Sequence, residues 1–125
     1  MVEDDMDMHY LYKRVFQNLN LDERLKLFDN ANDALNFLQE SFSETEVIFS
    51  DINMPKVDGL ELKRRINEDN CLRDSQIPFV FLSTSASERD IQKSTTLGVQ
   101  GFFEKGVTLD EMERTINQVL SQWKA

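Results

Sequence analysis

Val47-Ile48-Phe49-Ser50-Asp51-Ile52-Asn53-Met54-Pro55-Lys56-Val57-Asp58-Gly59 is the stretch on which the fold turns. Val47, Ile48 and Phe49 are β-branched or aromatic and polar residues bound them. That pattern predicts a buried strand. Asp51 stands just past it, and Pro55 and Gly59 punctuate the turn that follows. Asp58 is placed to cap a helix bearing Leu60, Leu62 and Ile66. The unit is strand, acid, turn, helix.

The same order recurs on both sides. Downstream, Pro78 opens a strand over 79–82, which ends on Ser83 and Thr84. Ser85 or Ser87 starts a helix running through Ile91 to Leu97, and Gly98 is its C′ residue. Residues 100–103 form a last short strand, followed by Lys105. Thr108 caps the final helix, with Glu111 completing a capping box. Upstream, Leu11, Val15, Phe16 and Leu19 predict a helix over 8–19. In 24–28, Leu25 and Leu27 alternate with charged residues, an extended run stopped by Asp29-Asn30. Asn32 or Asp33 then caps a helix whose face carries Ala34, Leu35, Phe37 and Leu38. Strands alternating with helices imply βαβ units and a mainly parallel sheet, in one α/β domain spanning 1–125.

Composition narrows the function. The chain has 125 residues, 14 basic and 23 acidic, and a formal net charge of −9. That balance argues against a nucleic-acid partner, which needs Lys and Arg for its phosphates. It is compatible with a cation site or a basic partner surface. No apolar run approaches the roughly 20 residues of a membrane span, and no signal segment opens the chain, so a cytoplasmic protein is expected. A single cysteine, Cys71, excludes an internal disulfide and a Cys-cluster metal site, and a single histidine, His9, removes most zinc chemistry. Cys71 reads as a polar-loop residue, His9 as a surface residue, and Met6, Met8, Tyr10 and Tyr12 as helix packing.

In open α/β sheets the site lies at the carboxyl ends of the strands. Glu3, Asp4 and Asp5 follow the first strand, Asp51 and Asn53 the third, Ser83 and Thr84 the fourth, and Lys105 the fifth. Clustered carboxylates repel and raise one another's pKa unless a cation neutralises them. Carboxylates and carbonyls suit Mg²⁺, which binds one or two acids plus phosphate oxygens. An Asp carboxylate can accept a phosphoryl group as an acyl phosphate. A lysine ammonium and a hydroxyl suit the oxygens that gather charge during transfer. Asp5 is better placed as a helix cap. A calcium loop is excluded because Pro55 and Lys56 occupy its fifth and sixth places. A flavin phosphate would be repelled by Glu3-Asp4-Asp5.

Val2-Glu3-Asp4-Asp5, Asp51 through Gly59, Pro78 through Ser85 and Gly101-Phe102-Phe103-Glu104-Lys105 together resemble the response-regulator receiver domain, over nearly the whole chain. The resemblance implies a flavodoxin-like three-layer sandwich with a five-stranded parallel sheet in the order 2-1-3-4-5. It implies a stand-alone two-component signalling domain of the chemotaxis-regulator kind. Asp51 is then the phosphoryl acceptor. Glu3, Asp4, Asp51 and the Asn53 carbonyl hold Mg²⁺. Lys105 and Ser83 meet the phosphoryl oxygens, and Ser83 and Phe102 form the switch. A histidine kinase or histidine phosphotransfer protein donates the phosphoryl group. A downstream protein reads the surface of helix 4, strand 5 and helix 5. Such a domain is a phosphoacceptor that assists its own transfer and dephosphorylation, not a separate enzyme.

Three positions depart from the family pattern. Only Met1-Val2 precede the acidic pair, so the first strand is expected to be short or missing, which weakens the sheet or exposes strand edges. Gly106 stands where the family has Pro, which removes a cis X-Pro bond and predicts a freer loop and a less fixed Lys105. Thr84 is expected to narrow access to Asp51. The first two favour an alternative, a phosphorylation-independent adaptor on the same fold. An acyl-phosphate hydrolase is disfavoured, since it wants a second Asp two residues past the first and position 53 is Asn.

Overall fold

The computed structural model describes residues 1–52, 54, 57–83 and 87–123, with Trp123 described in its backbone alone. Three strands, β1 (Ile48–Ser50), β2 (Phe79–Ser83) and β3 (Gly101–Glu104), pair in parallel in that order. Phe49 lies opposite Val80, and Phe81 opposite Phe102. The helices are α1 (Met6–Asn18), α2 (Ala31–Ser41), α3 (Gly59–Glu68), α4 (Asn70–Ser75), α5 (Glu88–Thr96) and α6 (Leu109–Trp123). Among the described residues, no helix is long and apolar enough to cross a membrane.

The first two expected strands are present as single bridged residues. Val2 bridges Phe28 on one side and Ser50 on the other, both in parallel. The row Phe28, Val2, β1, β2, β3 therefore keeps the order 2-1-3-4-5. Four backbone hydrogen bonds hold it. Val2 N–H donates to Phe49 C=O (2.8 Å) and Asp51 N–H to Val2 C=O (2.9 Å). Glu3 N–H donates to Phe28 C=O (2.9 Å) and Phe28 N–H to Met1 C=O (2.9 Å). The strand expected over 24–28 is corrected: Asp22–Arg24 is a 3₁₀ turn, and only Phe28 joins the sheet. Below Val2, between segments 25–28 and 47–49, lies an open pocket of about 310 Å³, mostly apolar within and lined at its rim by Arg24, Lys26, Glu44 and Glu46.

The strand side chains alternate between two cores. Ile48, Phe79 and Phe81 face Ala34, Leu38, Leu62, Ile66 and Leu72 of α2, α3 and α4. Phe49, Val80 and Leu82 face Tyr12, Val15, Phe16, Met112, Ile116 and Val119 of α1 and α6. This is the three-layer arrangement, with β2 buried along its whole length. Each fully buried Phe stabilises the fold by roughly 1.5–3 kcal/mol.

Helix starts follow the caps. Asp5 accepts from Asp7 N–H (2.9 Å), so α1 begins two residues before the expected 8. Met8 and Tyr12 pack inward, whereas Met6 and Tyr10 are exposed and do not. Asn30, not Asn32 or Asp33, caps α2. Asp58 and Ser87 cap α3 and α5 as expected, while Ser85 lies outside the described residues. Gly98, at φ 78°, ends α5 with bonds from Gly98 N–H to Thr95 C=O and from Val99 N–H to Ser94 C=O. Glu111 N–H bonds Thr108 Oγ1 at 3.1 Å, starting α6. Helix α4 was not expected, and it places Cys71 on an exposed helix face rather than in a loop. Its only buried residue is Leu72, too little periodicity to read.

Candidate functional site

The parallel strands deliver four segments to one end of the sheet. Glu3 follows Val2, Asp51 follows β1, Ser83 closes β2, and Lys105 follows β3. Lys105 N–H donates to Ser83 C=O (2.7 Å), which carries the β2–β3 pairing one residue further and fixes the lysine backbone. Its Nζ lies 2.5 Å from Glu3 Oε2 and 3.3 Å from Asp51 Oδ2. The three side chains are 6% (Lys105), 3% (Glu3) and 11% (Asp51) exposed. Glu3, Asp4 and Asp51 each present a carboxylate oxygen within 4.8 Å of the others. Three carboxylates against one ammonium leave net negative charge in a largely dry place.

Burial pushes the Glu3 carboxyl pKa up, the bond to Lys105 pulls it back, and the Asp51 carboxylate raises it again. The Tyr12 phenol is pushed up as well, first by burial and then by the negative charge of Glu3 and Asp51. An all-oxygen donor set of this charge fits a hard divalent cation such as Mg²⁺.

Asp58-Gly59 positions Asp51 from behind. Gly59 N–H donates to Ile52 C=O (2.8 Å). A Cβ on Gly59 would come within 2.1 Å of the Asp51 carbonyl oxygen and 2.7 Å of the Phe81 ring. The glycine is thus required by close approach, a role beyond the turn signal it gives in the sequence. Ser83 is buried at the end of β2. Phe102 is half-buried, its ring 6.3 Å from that of Phe81 and packed on the α2–α3 core. Asn53 and Thr84 lie outside the described residues.

Three expectations about this region are corrected. Lys105 is not loosely held: it is buried and paired with two carboxylates. Gly106 fits tightly against α6, since a Cβ there would lie 2.6 Å from Glu111 Cβ and 2.7 Å from Met112 N. No cis peptide bond occurs among the described residues. His9 is not a surface residue; it is 8% exposed, and its Nε2–H donates to the Glu3 carbonyl at 2.5 Å. The cap at Asp5 sets the phase of α1, and that phase turns His9 and Tyr12, three residues apart, to the same buried face. His9 thereby braces the backbone of Glu3. The i, i+3 spacing of His9, Tyr12 and Val15 was the available signal.

Known proteins are similar to this chain in sequence and in fold. Response regulator Rcp1 of Synechocystis sp. is 29% identical over 128 residues, covering 98% of this chain and 86% of the relative. Chemotaxis protein CheY1 of Helicobacter pylori is 24% identical, covering 96% and 94%. The crystal structure of the phosphorylated cyanobacterial phytochrome response regulator RcpA superposes with a TM-score of 0.81 at 27% identity, covering 98% of this chain and 89% of that one. The Mn²⁺-bound form of Rcp1 superposes with a TM-score of 0.78 at 28% identity, covering 98% and 90%. These neighbours have the flavodoxin-like receiver fold. The family model of the response regulator receiver domain matches residues 1–117, and the chain belongs to that family, whose members are signalling modules of two-component systems rather than ordinary enzymes.

Proposed function

We propose that this chain, as a single domain over 1–125, is a Mg²⁺-dependent phosphoryl acceptor whose aspartyl phosphate switches a protein-binding surface. One observation carries the reading: the Asp51 carboxylate is held 3.3 Å from the Lys105 ammonium, with Glu3 and Asp4 oxygens within 4.8 Å of its own. Asp51 Oδ attacks the phosphorus of a phosphohistidine on a histidine kinase or phosphotransfer protein. The new O–P bond forms as the P–N bond breaks, and the departing imidazole keeps that electron pair and takes up a proton. Lys105 meets the phosphoryl oxygens from one side and the Ser83 hydroxyl from another. Glu3, Asp4, Asp51 and the Asn53 carbonyl would hold Mg²⁺, which supplies charge neutralisation between phosphoryl oxygens and acids. The relative solved with Mn²⁺ and the relative solved in phosphorylated form support this reading.

The phosphorylated state draws Ser83 toward the phosphoryl group and turns Phe102 inward, a population shift between two conformations. The surface of α5, β3 and α6 then presents the altered face to a downstream protein in the cytoplasm. The buried, doubly paired Lys105 weakens the case for a phosphorylation-independent adaptor. Intact mass after incubation with acetyl phosphate and Mg²⁺ tests the proposal. The parent gains one phosphoryl group and Asp51→Asn gains none, with both proteins folded. Equal uptake by the variant, or none by the folded parent, contradicts it.

A further inference from the structure

The opposite end of β2 carries a second charged pocket. Lys63 lies on the inner face of α3 with Gly59, Leu62 and Ile66, where an apolar side chain would serve packing equally well. It is 7% exposed, and its ammonium sits 5.5 Å from the centroid of the Phe79 ring. Among the described residues it has no hydrogen-bond or ion-pair partner. Burial lowers its pKa accordingly. The aromatic face offsets only part of the cost of withdrawing an ammonium from water.

Lys63 borders an open pocket of about 400 Å³ between α3, α4 and the start of β2. Arg73 joins it there, with the amides of Asn67, Gln76 and Gln100. Among the described residues no carboxylate lines the pocket itself, and that of Asp74 pairs with Arg73 at its rim. Gln100 Oε1 is engaged by Phe79 N–H at 2.7 Å, which leaves its amide NH₂ as a donor. Among the described residues the Arg73 guanidinium bonds the exposed side chains of Asn70 at 3.0 Å and Asp74 at 3.4 Å.

We propose that this pocket binds a small oxyanion, a carboxylate or a phosphate, with Lys63 as the anchoring charge and Arg73 and Gln100 as further donors. The Lys63 side chain is buried along its stem while its ammonium reaches solvent in the pocket, where a compact anion can pair with it, and the donors around it match two or three oxygens. Phe79 to Ser83 spans four residue steps, about 13 Å of strand. Occupancy here therefore leaves the Asp51 end free.

Amide NMR of the ¹⁵N-labelled protein without Mg²⁺ tests the site. Inorganic phosphate and acetate are titrated separately against sodium chloride of equal ionic strength. Saturable shifts at Asn67, Leu72, Gln76 and Gln100 are expected with one or both anions and not with chloride. A response to phosphate alone assigns a phosphate ligand, and to acetate alone a carboxylate. Lys63→Met, which keeps the apolar stem, should retain the spectrum and lose affinity at least tenfold, and Lys63→Arg should retain binding. Absence of saturable shifts, equal shifts in Lys63→Met, or an identical response to chloride overturns the proposal.

Discussion

At the carboxyl ends of the strands, three carboxylates and one ammonium from three segments crowd within a few ångströms, mostly out of water. At the amino ends, beneath Val2, the same sheet borders an open, mostly apolar pocket of about 310 Å³. One end holds more charge than a core tolerates without compensation. The other is an open cleft in which apolar walls meet Arg24, Lys26, Glu44 and Glu46. The difference shows where sequence constraints are tight. At the charged end a change of one group leaves another unpaired, and at the slack end an added group has room to settle.

The largest effect is expected at Lys105. Lys105→Ala leaves Glu3 and Asp51 buried beside each other without a cation, and should cost roughly 3–5 kcal/mol in a denaturant melt without Mg²⁺. A loss below about 1 kcal/mol, the scale of an exposed pair, would mean that the acids do not depend on it. Next is Gly59→Ala, whose Cβ must push the Asp51 carbonyl or Phe81 aside. It should cost about 1–3 kcal/mol and slow phosphoryl uptake, because Asp51 moves with its backbone. Uptake at the parent rate would show that the close approach does not position the acceptor.

The slack end should answer with the opposite sign. Ala34 lines the cavity from α2 and is buried. Ala34→Leu should gain about 1 kcal/mol, read as a higher melting temperature. A lower one would mean that the cavity walls cannot accept the added methyl groups, and the comparison between the two ends would weaken.

The smallest effect concerns pH. Burial raises the Glu3 pKa above its ordinary 4.5, so between 4.5 and the raised value the folded chain holds more protons than the unfolded one. Stability then falls as pH rises through that window. Glu3→Gln should lack this fall, measured as unfolding free energy against pH without Mg²⁺. Parallel profiles would show that the Lys105 bond outweighs burial.

Much of this was legible before any coordinates. Phe79-Val80-Phe81-Leu82 reads as buried on both faces because no position is polar, and the strand-to-helix order places Asp51, Ser83 and Lys105 at one end by topology alone. The less legible parts depend on partners. Residues 24–28 alternate like a strand, but Asp22–Arg24 closes into a 3₁₀ turn and only Phe28 pairs with Val2. His9 looks polar and exposed until the Asp5 cap sets the phase of α1. Lys63 opens three consecutive basic residues, Lys63-Arg64-Arg65, and the helix phase set by Asp58 turns the first of them inward. Gly106 reads as slack in place of a proline, and only the approach of α6 shows why a side chain does not fit there.

The central claim is that Asp51 carries the phosphoryl group. Borohydride reduces an acyl phosphate to the corresponding alcohol, so treatment after acetyl phosphate and Mg²⁺ leaves a permanent mark on the residue that was modified. Fragment-ion mass spectrometry of the resulting peptides should find homoserine at position 51 and nowhere else. Homoserine at another aspartate, or an unmarked position 51 in protein that had gained a phosphoryl group, would contradict the account.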